Sequence, residues 1–81
     1  MRSPYEPEPA EVIARENKPK AVKHRGRLLD VKEILNVWRV DDEWWRKPIC
    51  RLYFAVEFTN GSRLTVFRDL INDTWYRQNW V

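Results

Sequence analysis

The sequence predicts an all-β fold: a single small antiparallel meander of five or six strands, either a curled sheet or a small barrel. Three observations carry this. Cys50, Leu52, Phe54, Val56 and Phe58 recur at a period of two, the spacing of one strand face. Asn60-Gly61 stands between two such runs, a strong short-range hairpin signal. Turn residues punctuate the chain at intervals of roughly ten, as in small all-β domains. A chain of 81 residues and 9.9 kDa has room for one core. Its five Trp, three Tyr and three Phe bury much area per residue, which suits so small a domain.

Residues 1–10, with Pro4, Pro7 and Pro9, read as a flexible tail, because proline fixes φ and lacks a donor. Residues 11–81 form the β domain. Glu11–Arg15 is a short first strand, and Glu16-Asn17-Lys18-Pro19 breaks it. The run from Lys20 to Arg25 leads into a turn at Gly26. Leu29 and Val31 alternate with polar neighbours, then the phase slips by one residue, as a β-bulge makes it slip. Residues 31–38 also fit helical spacing through Val31, Ile34, Leu35 and Trp38; the lack of a following cap favours strand. Asp41 to Pro48 reads as a loop. A two-residue type I′ turn at Asn60-Gly61 would pair Phe54 with Phe67, Val56 with Thr65 and Phe58 with Arg63. On the other face it would pair Tyr53 with Arg68 and Ala55 with Val66. Both faces then carry apolar groups, which fits a curled or partly covered sheet. A turn at 69–73 joins a last strand, Thr74 to Trp80. The expected core is Val22, Leu29, Val31, Leu52, Phe54, Val56, Phe67 and either Trp75 or Tyr76.

The net charge is +3 and the pI about 9.3. Residues 20–40 hold six basic and two acidic side chains, a weak pointer toward an anionic partner. No apolar run approaches the ~20 residues of a membrane span, and the N-terminal residues lack the apolar segment of a signal peptide. One cysteine makes neither an internal disulfide nor a zinc site, so a cytoplasmic setting is expected. Catalysis needs positioned groups, and the chain offers one His and one Cys without readable partners. Cys50 shares the phase of Leu52 and Phe54 and reads as a small hydrophobe. Asp41, Asp42 and Glu43 are adjacent rather than spaced as oxygen ligands of a hard cation. The expectation is a protein that is not an enzyme and uses no cofactor or metal.

The remaining candidate is a binding surface: Trp44, Trp45, Arg46, Arg51, Tyr53 and Arg68. Adjacent residues of an extended chain point to opposite faces, so at least one of the paired Trp rings is expected at the surface. Trp, Tyr and Arg dominate protein-interface hot spots. The same residue types stack bases and neutralise phosphates in single-strand nucleic-acid binders. The acids at 41–43 favour a protein partner, with nucleic acid as the alternative.

Several strings carry a resemblance: Trp38-Arg39-Val40-Asp41-Asp42-Glu43-Trp44-Trp45-Arg46, Arg51-Leu52-Tyr53-Phe54-Ala55-Val56, Leu64-Thr65-Val66-Phe67-Arg68-Asp69-Leu70, and Trp75-Tyr76-Arg77-Gln78. Over about residues 11–81 the chain resembles a small bacterial domain family of unknown function. Similar segments occur near the C-termini of Y-family-polymerase-like proteins that assist mutagenic DNA repair. The resemblance implies a setting in DNA repair or replication, with no activity attached.

Overall fold

The computed structural model describes residues 7–44 and 47–78, apart from the side chains of residues 43, 44 and 47. Every regular element within them is a strand: β1 (Glu8–Pro9), β2 (Glu11–Arg15), β3 (Lys18–His24), β4 (Arg27–Trp44), β5 (Lys47–Phe58), β6 (Arg63–Asp69) and β7 (Thr74–Gln78). All pairings are antiparallel, in the order β1-β7-β6-β5-β4-β3-β2. The all-β meander is as expected, with seven strands rather than five or six. β1 and β2 are consecutive in the chain yet lie at opposite ends of the sheet. Only Ala10 separates them, so the sheet must curl until its ends meet. The Ala10 N–H donates to the Trp75 carbonyl at 3.0 Å across that seam. Residues 8 and 9, expected in the tail, are thus held to β7; residues 1–6 lie outside the described residues.

Curling creates an inside. Val22, Phe54, Val56, Phe58 and Val66 form the buried cluster, with Val12, Leu29, Val31, Ile34, Leu52, Leu64 and Trp75 packed around it. These come from one face of β5-β6 and from the β2-β3 pair folded over it. The expected core agrees except at Phe67, which is buried but belongs to the other face. β4 makes the bend possible. It carries two register shifts against β5, between Val31 and Glu33 and between Ile34 and Asn36, and bulges sharpen twist. The phase slip read from the sequence is therefore a pair of bulges, and the helical alternative over 31–38 is excluded.

The turns differ from expectation in an informative way. Phe58 N–H donates to Ser62 O at 2.8 Å and Gly61 N–H to Phe58 O at 2.9 Å, closing a three-residue loop. Gly61 is left-handed, at φ 87°, and Asn60 is not, so the turn is type I with a following glycine bulge instead of I′. Two contacts select it. The Asn60 side-chain oxygen accepts from Ser62 N–H at 3.0 Å, and the Asp30 carbonyl of β4 takes the Thr59 N–H at 3.0 Å. That N–H would have closed the shorter loop. The register moves by one residue: Phe54 opposes Val66, Tyr53 opposes Phe67, and Leu52 opposes Arg68. The φ values of a type I′ turn occur instead at Glu16-Asn17 (54° and 64°) and Arg25-Gly26 (52° and 77°), closed by Arg15–Lys18 and His24–Arg27.

Candidate functional site: an aromatic row ending at an open strand edge

The one-residue shift builds the outer face. Trp38, Tyr53, Phe67 and Tyr76 stand directly opposite one another on β4, β5, β6 and β7. Their rings form a continuous row with centroid separations of 5.2, 4.8 and 5.2 Å and interplanar angles of 7°, 37° and 22°. Such offset contacts add to the value of burial. Arg51 lies over the Phe67 ring, its Cζ 4.7 Å from the centroid, and its Nη1 donates to the Tyr53 hydroxyl at 3.3 Å. Guanidinium and neighbouring rings together bury Phe67 to 1% exposure. This row explains why both faces of the hairpin are apolar: one is the core, the other supports itself by stacking. It also limits base binding, because the inner rings already spend their faces on each other.

Of the expected site residues, Arg51 and Tyr53 come together on this face. Arg68 does not join them. It sits on the opposite face, held by Asp73 (Nε to Oδ1, 2.8 Å) and Asn17 (Nη1 to Oδ1, 3.2 Å). A slip of one residue reverses faces, and the two-residue loop read from Asn-Gly put Arg68 beside Tyr53. Trp45 and Arg46 lie outside the described residues, as does the side chain of Trp44, and with them the expected exposure of a Trp ring. Residues 41–44 and 47–48, expected in a loop, are strand: Asp41, Asp42, Glu43 and Trp44 pair with Cys50, Ile49, Pro48 and Lys47.

That extension defines a second feature. β3 pairs with β4 only as far as Asp30, and β6 pairs with β5 only from Arg51. Residues 41–44 and 47–50 are therefore a two-stranded arm beyond the sheet. Among the described residues, no strand pairs with the outer edge of β4 past Asp30. Leu35, Val37 and Val40 on that stretch are 42, 47 and 36% exposed. The aromatic row terminates at the same edge, in Trp38. Sequence reasoning missed this edge by ending the strand at Val40; the alternation Val40, Asp42, Trp44 against Asp41, Glu43 was too polar to read as strand.

On the inner side of the arm, Arg39 is bound to Asp41 (Nε to Oδ2, 2.6 Å), and its Nη2 lies 3.2 Å from Cys50 Sγ. Arg39 holds the Asp41 carboxyl below its ordinary range, while hydrogen bonding to Asp41 and burial push the half-buried Cys50 thiol up. Cys50 therefore lies against the polar pair Arg39 and Asp41 on the arm and not in the core cluster, where its phase with Leu52 and Phe54 had put it. At the seam, Arg77 donates to Glu8 (Nε to Oε2, 3.0 Å) and to His24 Nδ1 at 2.8 Å, joining β7, β1 and β3. Burial and the charges of Arg77 and Arg25 lower the His24 pKa, so this imidazole is a neutral acceptor. Among the described residues, no cluster of three His, Cys, Asp or Glu is placed to hold a metal. No family model, curated protein or solved structure matches the chain.

Proposed function

We propose that this chain is a non-enzymatic interaction module that binds protein by accepting an extended strand along the outer edge of β4. The observation that carries this reading is the edge beyond Asp30, unpaired among the described residues, with Leu35, Val37 and Val40 exposed on it. An added strand gains main-chain hydrogen bonds from such an edge and side-chain contacts from its apolar positions. The aromatic row gives the edge a stiff backing, and Trp38 at its end offers further contact area. The resemblance to domains found beside repair polymerases directs the search for partners to DNA repair or replication complexes. Single-stranded nucleic acid is the weaker reading, because Arg51 is engaged with Phe67 and Tyr53 and Arg68 lies on the other face.

The test is site-directed photocrosslinking in the native cell. A photoreactive residue at position 37 should give protein adducts, and one at Ile71, exposed on the 69–73 turn, should not. Nucleic-acid adducts from position 37, or none from either position, would refute strand acceptance from a protein.

A further inference from the structure

We propose that the strand β4 accepts is the β4 of a second copy of this chain, joined antiparallel about a two-fold axis at Val40. The proposal rests on the strand-accepting reading above and names its partner. A two-fold perpendicular to a continuous sheet places one residue of the edge strand opposite its own copy, so the registers can be compared one at a time. Centring on Arg39 sets it against the partner's Arg39, and centring on Asp41 sets two carboxylates together. Centring on Trp38 puts Val37 against the partner's Arg39 and Leu35 against the partner's Asp41. Centring on Val37 brings the Leu35 bulge into the pairing after one residue on each side.

Centring on Val40 avoids the like-charge pairs and the bulge, although it sets Val37 against the partner's Glu43 and Trp38 against the partner's Asp42. Val40 meets the partner's Val40, and Arg39 meets the partner's Asp41 twice by symmetry. The Arg39–Asp41 pair within each strand, 2.6 Å between Nε and Oδ2, then becomes half of a ring of four alternating charges. Cross-strand opposite charges stabilise a pair and like charges oppose it. A second observation gives the same centre independently. The stretch of β4 free of register shifts against β5 runs from Asn36 to Trp44, and its midpoint is Val40. Pairing over that stretch lays residues 36–39 of each copy beside the partner's arm. Each two-stranded arm gains the third strand that a hairpin ordinarily needs for stability in water.

The test uses the full chain in sedimentation equilibrium with two charge variants. Wild type should sediment at twice the 9.9 kDa chain mass. Arg39→Asp and Asp41→Arg each place like charges opposite one another, and each should raise the dissociation constant roughly tenfold or more. Both sites are exposed, so the monomers should stay folded by circular dichroism. Mixed one to one, the variants present opposite charges at both crossings, and a heterodimer of wild-type affinity should form. A wild-type dimer indifferent to both substitutions overturns the register. A wild-type monomer whose alternate amides over 36–44 exchange quickly overturns the dimer and leaves the strand-accepting reading standing. A monomer with those amides protected overturns both.

Discussion

The molecule has two kinds of strand edge, and they are treated in opposite ways. At the seam, β1 is two residues long and contains Pro9, while β2 carries Glu11 and Arg15 and a register shift between Ile13 and Ala14. Short length, proline, charge and bulges are the devices by which natural sheets discourage further pairing. The seam is also clamped, through Arg77 to Glu8 and His24 and through Ala10 to Trp75. Between Asn36 and Trp44 the outer edge of β4 keeps only one of these devices, charge, in Arg39, Asp41, Asp42 and Glu43; it is long and has no proline and no register shift. Where the chain needs a monomeric closed end, it spends residues on protecting it. Nine consecutive residues without proline or bulge, with charges of both signs that can pair across the edge, are what an edge kept for a partner looks like.

The contrast can be broken from the closed side first. Phe54 lies beneath the folded-over β2-β3 pair at 2% exposure, and Phe54→Ala should destabilise by about 3–5 kcal/mol in urea titration. A loss under ~1 kcal/mol would mean that the curled sheet does not enclose a packed core. Next is the clamp. Arg77→Met removes the guanidinium that joins the half-buried Glu8 carboxylate to His24 and should cost about 1–3 kcal/mol. The seam should also respond to pH through His24. Its folded-state pKa is lowered, so below about 6.5 the unfolded chain takes up the proton first. Stability falls from there and levels off once the pH has passed the folded value. His24→Gln should flatten that part of the pH profile relative to wild type. At the β2-β3 turn, Glu16 has φ 54°, a strained value for a residue with a Cβ, and Glu16→Gly should raise stability by about 0.5–1 kcal/mol. The smallest effect belongs to the open side. Val37→Lys with Val40→Lys should change stability by no more than about 0.5 kcal/mol per site while abolishing partner adducts, since these side chains serve the partner and not the fold.

The fold class was legible because strand periodicity is local: Cys50 to Phe58 alternates, and Phe54, Val56 and Phe58 are buried as that pattern requires. The register was not, because it depends on a hydrogen bond from outside the hairpin. Asn60-Gly61 alone favours the two-residue loop, and it is the Asp30 carbonyl on β4, taking the Thr59 N–H, that lengthens it. That single residue moved Arg68 away from Tyr53 and assembled the row from Trp38 to Tyr76. Of the candidate surface, Arg51 and Tyr53 could be paired from their spacing on β5, two apart on one face. The open edge could not be found this way. It is created by where β3 stops pairing, at Asp30, and no property of residues 36–44 themselves announces it.

The most direct test of the open edge is residue-resolved amide exchange on highly diluted protein, comparing β4 with its neighbour β5. Arg51–Phe54 of β5 lies between β4 and β6, so its amides should be uniformly slow. Over Asn36–Trp44, paired only with β5 among the described residues, exchange should alternate, with every second amide faster by about tenfold or more than its inward-facing neighbours. Uniform slow exchange across 36–44 at high dilution would show the edge already covered by the chain itself, and would contradict the account.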